Sequence, residues 1–361
     1  MSALLLIIIL IVLIVVHEFG HFLAARLLGV TVEEFGVGYP PRAFTFGVRG
    51  GTEYTLNWMP FGGFVRLRDE NGTEEDAGRR IGSFAQASRW RQALILIAGV
   101  VANAFFGWVL YTGGFMTGMP VEVSDATEGA RLIVSEILPG SPAYRSGLAP
   151  GDEIKSMTDA RGPAELTPQS VVAFVRERAG QELSIVYVRD GTETQTTAIP
   201  VHAVLANAPG DPALGAGLLL IAEKRLPFFA AAKESFSHTW YAFSIVVSRL
   251  GSLVKDAVFG NANITALVGP VGLASAVGDA AAHGLGQLFA LAALVSINLA
   301  VINLIPIPAL DGGRLFFVGI EAVMRKKIPM RIAHVANAVG FTLILVLMVL
   351  VTYGDIIRLA A

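Results

Sequence analysis

Long apolar stretches alternate with polar ones along this chain, and their lengths predict membrane-spanning helices. Four stretches are almost entirely apolar, and segments richer in charged and polar residues separate them. A helix needs about 20 predominantly apolar residues to cross the hydrocarbon core of a bilayer. The pattern therefore predicts about four transmembrane helices, in residues 1–28, 91–119, 285–310 and 332–352.

Residues 29–90, between the first two apolar stretches, change to a strand-like pattern followed by a polar loop. Glu53–Leu67 alternate and are rich in aromatic side chains, and Pro60, Gly62 and Gly63 interrupt them at mid-length. This pattern predicts a bent β-hairpin or a sheet edge. Two interpretations stay open: a small sheet that packs against the membrane surface, or an exposed edge that binds an extended substrate as an additional strand.

Residues 126–205 form a less apolar region and predict a soluble domain of short strands and two helices. Thr167 and Pro168 fit the N-cap and the first position of a helix, and Asp190-Gly191 is typical of a hairpin turn. This mixture of elements resembles a PDZ domain, and the segment Pro139–Ile154 is characteristic of bacterial members. We expect one α+β PDZ domain, which gates substrate entry or binds a peptide C-terminus.

Residues 227–260 mix aromatic and charged positions and predict an amphipathic helix. The uninterrupted apolar run inside it, from Thr239 to Ser248, is too short to cross a bilayer, so we expect the helix to lie at the membrane interface. The fold class expected for the whole chain is a multi-pass α-helical membrane protein with a membrane-associated β-hairpin region and one PDZ domain.

The composition agrees with a membrane protein. Of 361 residues, 53% are hydrophobic and 16% charged, which is too apolar for an ordinary soluble enzyme. The net charge of -2 provides no general attraction to nucleic acid, so a nucleic-acid partner is set aside. The chain has no cysteine, which excludes disulfides and thiolate zinc sites. Any metal site must use histidine and carboxylate side chains.

Arginine and lysine residues predict the orientation of the four helices. The segments 26–91 and 314–331 are rich in these residues, and short basic loops stay on the cytoplasmic side. The PDZ domain is then expected outside the cytoplasm, in a cell inner (cytoplasmic) membrane. The polar residues of the first helix lie near its inner end, so the site they form is expected toward the cytoplasmic side.

The first apolar stretch contains the sequence His17-Glu18-Phe19-Gly20-His21. Two histidines four residues apart share one face of a helix, which is the spacing of zinc ligands in H-E-x-x-H sites. The glutamate of such a site serves as general base. Three ionisable groups inside an apolar span are costly and indicate a functional site rather than helix packing.

A catalytic zinc site needs a third protein ligand and an open coordination position. Glu33 and Glu34 follow the histidines too closely to reach them from another helix. Asp311 is the acidic residue at the end of the third span, on the same predicted inner side as His17 and His21, and is the better candidate.

Several motifs together resemble the site-2 proteases, which are intramembrane zinc metalloproteases. The pair formed by His17–His21 and by Asn303–Gly313, in the pattern N-x-x-P-x-P-x-L-D-G, carries the resemblance. Pro60–Val65 resembles the membrane-reentrant β-hairpin motif, and Gly269–Gly272 resembles the motif that precedes the third span. The likeness covers nearly the whole chain and is strongest to the bacterial regulator-of-sigma-E protease type. Its second span commonly reads G-P-x-x-N, where this chain has Val100 instead of the proline, and some relatives carry two PDZ domains instead of one.

The resemblance implies roles for individual residues. His17, His21 and Asp311 would bind Zn²⁺, and Glu18 would take a proton from the attacking water and later protonate the leaving amine. Asn303 would bind the substrate backbone or the developing oxyanion, although helix packing is the alternative role for an asparagine at this position. The hairpin residues expected to bind substrate are Pro60, Gly62, Gly63 and Phe64.

The resemblance also implies the partners. The substrate would be a single-span membrane protein of the anti-sigma-factor or signal-peptide type, cut in or near its transmembrane segment within the lipid bilayer during regulated intramembrane proteolysis. Two alternatives remain from the residues alone. A membrane metal transporter would also carry His and Asp in its spans, and a PDZ scaffold would have a site without catalysis.

Overall fold

A computed structural model describes residues 1–69, 82–124, 127, 129–189, 191–202, 204, 210–259 and 268–360. Most of the predicted polar loop after the hairpin, Asp190 of the predicted turn, and Ala126, Ala203 and Leu205 near the ends of the predicted PDZ region lie outside the described residues. The chain divides into two compact units, 1–117 with 226–361 and 118–225.

The helices and strands are numbered here in chain order. They are α1 (Ser2–Leu27), β1 (Val32–Arg49), β2 (Thr52–Leu67), α2 (Arg89–Thr117), β3 (Met119–Glu122), β4 (Arg131–Ile137), α3 (Pro142–Arg145), β5 (Glu153–Asp159), β6 (Gly162–Pro163), α4 (Pro168–Arg176), β7 (Leu183–Arg189), β8 (Thr192–Ala198), β9 (Ala216–Lys224), α5 (Phe228–Val258), α6 (Pro270–Ala282), α7 (Leu285–Leu304), α8 (Asp311–Met324) and α9 (Met330–Ala360).

Among the described residues, four helices are long and apolar enough to cross a membrane, namely α1, α2, α7 and α9. They correspond to the four apolar stretches of the sequence. The third helix ends at Leu304, before the residue 310 expected from the sequence, because Pro306 and Pro308 follow and cannot continue a helix.

Helix α2 packs against α1, α5, α7 and α8. Small residues permit close approach: a Cβ at Gly20 of α1 would overlap the Ala98 backbone of α2, and a Cβ at Gly107 would lie 2.9 Å from Ile297 of α7. The Ser296 hydroxyl of α7 donates to the Asn103 backbone carbonyl of α2 at 2.8 Å. These contacts hold α1, α2 and α7 at fixed positions around one another.

Helix α5 runs for 31 residues and packs against α2 and α7. The Trp108 indole N–H of α2 donates to the Ala232 carbonyl of α5 at 2.8 Å. Ala231 and Ser235 are buried, whereas Phe236 and Trp240 are exposed. The helix is therefore amphipathic, as the sequence predicts, and its interfacial location stays a prediction.

Strands β1 and β2 form an antiparallel two-stranded sheet with strong bends. The first part of β1 pairs with β2 on both of its sides, because β2 bends around it. Gly36 of β1 lies opposite both Phe64 and Thr55, which lie near the two ends of β2. Gly62, with φ +124°, allows the bend of β2 at the position where the sequence predicts an interruption. Within the described chain, residues 63–67 pair with β1 alone, so they form an edge of the sheet.

The second unit contains a seven-stranded sheet in the order β3-β9-β4-β5-β7-β8, with β6 beside β5. Helix α4 begins at the predicted Pro168, and the Thr167 hydroxyl accepts a hydrogen bond from the Ser170 amide as its cap. The unit extends to 118–225, beyond the region 126–205 expected from the sequence. The added strand β9 pairs with β4 and contributes buried Leu220 to the core of this unit, so it belongs to the domain.

Candidate active site

Helix α1 presents two buried histidines toward α2. His17 and His21 lie one helical turn apart, and their Nε2 atoms are 3.1 Å from each other. The two rings meet edge to face, with centroids 4.7 Å apart. The local spacing of the sequence is thus sufficient to direct two ring nitrogens toward one point.

The side chain of Asp311 reaches the same point from a remote part of the chain. Its Oδ2 atom lies 2.8 Å from His17 Nε2 and 3.1 Å from His21 Nε2. Two ligand atoms of a tetrahedral zinc ion, each about 2.0–2.1 Å from it, are roughly 3.3 Å apart. The three atoms are therefore almost as far apart as three ligands of one ion.

The electrostatics of these three groups fit a bound cation. His21 Nδ1 lies 2.8 Å from the Ile95 carbonyl oxygen, which can only accept, so the ring donates from Nδ1. In the neutral ring, Nε2 then carries a lone pair and faces the Asp311 carboxylate oxygen, which is also an acceptor. Two acceptors 3.1 Å apart repel each other unless a proton or a cation lies between them. Imidazole and carboxylate are ligands that suit zinc.

Glycines of α2 and α8 make room for this cluster. A Cβ at Gly99 would lie 2.5 Å from His21 Nε2 and 2.7 Å from His17 Cε1, so only glycine leaves space for both rings there. At the start of α8, a Cβ at Gly312 or Gly313 would overlap carbonyl groups of the preceding turn. The absence of these side chains lets the backbone bring Asp311 to the histidines.

Glu18 and the edge of the sheet share a cavity with the cluster. The cavity has a volume of about 190 Å³. A Cβ at Gly63 of β2 would lie 3.3 Å from Glu18 Cγ, so the strand passes directly beside the glutamate. The residues lining this cavity include Glu18, His21, Tyr39, Gly63, Phe64, Val65, Asp311 and Arg314.

Tyr39 is a residue of this cavity that the sequence analysis missed. Burial raises the pKa of its phenol, and the negative charges of Glu18 and Asp311 raise it further. Its ring lies beside Gly62, where any side chain would overlap it. Tyr39 and Phe64 also line a second cavity of about 360 Å³ with Arg42 and Arg66. No local motif marks Tyr39, because only the bend of β1 brings it toward the helix.

Two asparagines lie among the helices around the site. The Asn303 amide nitrogen is 3.5 Å from His17 Nε2, so this predicted residue is brought to the cluster. Asn103 is fully buried, and within the described structure its amide atoms have no hydrogen-bond partner, as is the case for His17 Nδ1.

Of the hairpin residues expected to bind substrate, Gly63 and Phe64 line the cavity, whereas Gly62 and Pro60 precede them in β2.

The sequence of this chain matches the profile of a known protein family. The profile described as peptidase family M50 matches residues 5–347, which is nearly the whole chain. The chain belongs to peptidase family M50. This result confirms the resemblance to the site-2 proteases that the paired motifs indicate.

Several bacterial relatives are named as zinc metalloproteases. A Clostridium perfringens protein with a provisional zinc metalloprotease name is 33% identical over 345 residues, which cover 95% of each chain. The zinc metalloprotease RasP of Oceanobacillus iheyensis is 27% identical, with 95% of this chain and 96% of RasP covered. The regulator of sigma-E protease RseP of Salmonella typhimurium is 28% identical over 444 aligned positions, which cover 96% of each chain.

A solved structure resembles part of the chain. The PDZ domain of the SdrC-like protein from Listeria monocytogenes is 18% identical and covers 27% of this chain and 93% of that domain, with a TM-score of 0.21. The second unit also contains an apolar cavity of about 500 Å³. Helix α4 contributes Val171 and Val175 to its lining, and the segment 211–218, at the start of β9, contributes Leu214 and Leu218.

Proposed function

We propose that this chain is an intramembrane zinc metalloprotease that hydrolyses a peptide bond in or near the transmembrane segment of single-span membrane proteins. The observation that carries the proposal is the convergence of two histidines and an aspartate, 290 residues apart in sequence, beside a glutamate and a strand edge in one cavity. The M50 family and the zinc metalloprotease names of two relatives support the same chemistry.

His17, His21 and Asp311 would hold the zinc ion. Their three acceptor atoms lie within 3.1 Å of one another, and His21 is oriented by the Ile95 carbonyl. Hydrogen bonding of the second ring nitrogen is the usual way in which proteins fix the orientation of a histidine ligand. When bound, zinc polarises the scissile carbonyl and lowers the pKa of a water molecule to about 7.

Glu18 and Asn303 would act on the substrate. Glu18 lines the cavity next to the proposed zinc ligands, so its carboxylate can accept the proton of the attacking water and return it to the leaving amine. The Asn303 amide lies within 3.5 Å of His17 and can donate to the oxygen on which negative charge develops. Both residues are on helices, which keeps their positions fixed.

The edge of β2 would bind the cleaved segment in an extended form. A transmembrane helix satisfies its own backbone hydrogen bonds, so it must unwind locally before its carbonyl can be attacked. Residues 63–67 have a partner strand on one side and pass beside Glu18 on the other. Adding the substrate as a further strand replaces the lost helical bonds and holds the peptide next to the catalytic groups.

The sequence and the apolar helices support a proposal for the location of the protein. Four helices of sufficient length and the family support a membrane protein. We propose a multi-pass arrangement in the bacterial inner membrane, with the catalytic cavity toward the cytoplasm and the PDZ domain outside it. The proposed substrates are of the anti-sigma-factor or signal-peptide type, which would present a single apolar span to this cavity.

The apolar cavity of the second unit would bind an extended peptide. It lies between helix α4 and the segment 211–218 at the start of β9, and the side chains facing it are mainly aliphatic. A peptide C-terminus with an apolar last residue fits such a groove, through pairing with the strand and burial of its side chain. Binding there would select the proteins that reach the catalytic unit.

The proposal is tested with Glu18→Gln in cells that also express a labelled single-span substrate. We expect the purified variant to retain zinc at the wild-type ratio and to cleave at least 100-fold more slowly, since general-base catalysis contributes about 10²–10⁴-fold. Glu182→Gln, which changes an exposed glutamate of the second unit, is the matched control and should cleave normally.

Three results would contradict the proposal. Undiminished cleavage by Glu18→Gln would show that another residue is the base. Zinc binding by the wild-type protein without cleavage of any single-span substrate would favour a PDZ scaffold, and zinc uptake into proteoliposomes would favour a transporter.

A further inference from the structure

The turn that joins α7 to α8 contains an unusual backbone conformation close to the proposed metal site. Ala309 has φ +79°, in the left-handed region that residues with a Cβ atom rarely adopt. It lies two residues before Asp311, the first residue of α8. The direction in which α8 begins, and with it the position of the Asp311 carboxylate, depends on this turn.

Helix α9 contacts the same turn at two neighbouring points. The Ala309 backbone N–H donates a hydrogen bond to Asn337 Oδ1 at 3.1 Å. One turn further along α9, a Cβ at Gly340 would overlap the Pro308 carbonyl, so the helix and the turn are in direct backbone contact. Asn337 therefore binds Ala309, which has the left-handed conformation, and Gly340 packs against Pro308.

The rest of α9 is largely exposed. Only 11% of its most apolar part is buried in the structure. Asn337 lies within a mainly apolar segment of this helix, where a polar side chain facing lipid is costly and is kept when it has a partner. The Ala309 amide is such a partner, because an amide freed from a helix at a proline-rich turn needs an acceptor.

From these contacts we infer that Asn337 is a positioning residue for the metal site: it holds the Ala309 turn in its left-handed conformation and so keeps Asp311 against the two histidines. The inference rests on the proposed function, because it assigns Asn337 an effect on zinc binding. Asn337 bonds to the turn itself, two residues before the proposed ligand. Its effect is transmitted through the backbone from residue 309 to residue 311.

The test combines substitutions at both ends of the hydrogen bond. Asn337→Leu removes the acceptor while keeping a similar volume, and Ala309→Gly removes the steric cost of the left-handed conformation. The double variant combines them. Asn298→Leu is the matched control, because Asn298 is a partly buried asparagine on α7 whose amide donates within its own helix to Leu294.

Zinc affinity is measured on the purified full-length protein in detergent by competition with a chelator. Loss of a residue that supports a metal ligand commonly lowers affinity 10–100-fold, so we expect about a tenfold loss or more for Asn337→Leu. Ala309→Gly should bind zinc as the wild type does, and the double variant should recover most of the loss because glycine adopts a positive φ without external support. Asn298→Leu should stay within about twofold of wild type.

The thermal midpoint of the metal-free protein provides a readout independent of zinc. Asn337→Leu should lower it, and the effect should shrink in the Ala309→Gly background. Additive effects of the two substitutions, or a zinc affinity of Asn337→Leu within about twofold of wild type, would overturn the inference. If the wild-type protein binds no zinc at all, the proposed function fails, and non-additive midpoints would still establish the link between the last helix and the turn.

Discussion

At the scale of single residues, the candidate site depends on side chains that are absent as much as on those present. Gly99 is the clearest case, since both imidazoles occupy the space where its side chain would be. We expect Gly99→Ala to lower zinc occupancy about tenfold or more, because the added methyl group must displace one of the two proposed histidine ligands. Zinc content after dialysis and cleavage of a single-span substrate measure the effect.

Gly113→Ala provides the matched control in the same helix. Its added Cβ would lie 3.4 Å from Phe289, which is an ordinary van der Waals contact. Alanine favours a helix by about 1 kcal/mol over glycine, so this variant should bind zinc normally and unfold at an equal or higher temperature. Equal zinc occupancy in both variants would contradict the assigned role of Gly99.

Some residues of the candidate site can be predicted from the sequence and others cannot, and the reason is physical. His17 and His21 are separated by one helical turn, so their approach is a local property that the spacing reveals. The approach of Asp311 depends on contacts between helices, and topology together with the motif resemblance indicated it. No local sequence pattern marks Gly99 or Tyr39. Gly99 matters because α2 lies close to α1, and Tyr39 reaches the cavity because β1 bends.

At the scale of elements, the bend of β2 brings an edge of the sheet to the proposed catalytic cavity. Gly62 has φ +124° and lies beside the Tyr39 ring, so Gly62→Ala should distort the edge while leaving the three proposed zinc ligands in place. We expect a reduced kcat/KM for a transmembrane substrate, by about tenfold or more, with zinc content unchanged. Cleavage assays in detergent with parallel metal analysis check this.

Gly47→Ala separates backbone strain from the effect on the edge. Gly47 has φ +138° in β1, and a Cβ there would meet no atom within 4 Å. Its substitution strains the same sheet away from the cavity and should reduce cleavage much less. Equal losses in the two variants would mean that the sheet contributes general stability and no substrate pairing.

The hairpin also illustrates what the alternation of the sequence can predict. The interruption at Pro60 and Gly62 indicated the bend, and the structure has a positive φ at Gly62. The double pairing of Gly36, opposite both Phe64 and Thr55, could not be predicted, because neither partner is signalled by local pattern. In the second unit, strand β9 was missed because it joins the sheet through β4 and β3, which are remote from it in sequence.

The second unit contains a buried ion pair with a predictable pH dependence. Arg178 donates to Asp159 Oδ2 at 2.6 Å, and its guanidinium lies 3.5 Å from the centre of the Phe174 ring. Burial acts to raise the pKa of Asp159, but the hydrogen bonds of Arg178 and of the backbone outweigh it and hold the pKa below its ordinary value. The stabilisation is therefore present above about pH 4 and is lost as the pH falls through the lowered pKa.

Hydrogen exchange of peptides from 118–225 checks this dependence. Protection should be constant between about pH 5 and 7 after correction for the intrinsic exchange rate, and it should fall steeply below about pH 4. Asp159→Asn should lower protection at neutral pH and flatten the acid response. Asp211→Asn removes an aspartate whose pair with Arg176 is about half exposed, and it should have little effect. Similar behaviour of the two variants would contradict the role of the buried pair.

At the scale of the whole molecule, the proposed site lies among helices that are long and apolar enough to cross a membrane. The proposed catalytic cavity is formed by α1, β1, β2, α2 and α8, and two of the candidate spans, α1 and α2, contribute to it. Hydrolysis there requires that water reaches this cavity from one side of the membrane. The basic segment 26–91 contains β1 and β2, and the basic segment 314–331 contains most of α8, so the sequence predicts that this side is the cytoplasm.

The absence of cysteine from the chain allows this orientation to be measured directly. Thr194→Cys introduces an exposed thiol in β8 of the second unit, and Lys326→Cys introduces one between α8 and α9. In spheroplasts, a membrane-impermeant maleimide should label Thr194→Cys, and it should label Lys326→Cys only after the membrane is permeabilised. The wild-type protein should give no signal in either condition. The opposite labelling pattern would invert the predicted orientation, and labelling of both thiols in intact spheroplasts would place the two segments on the same side of the membrane and contradict the predicted crossings.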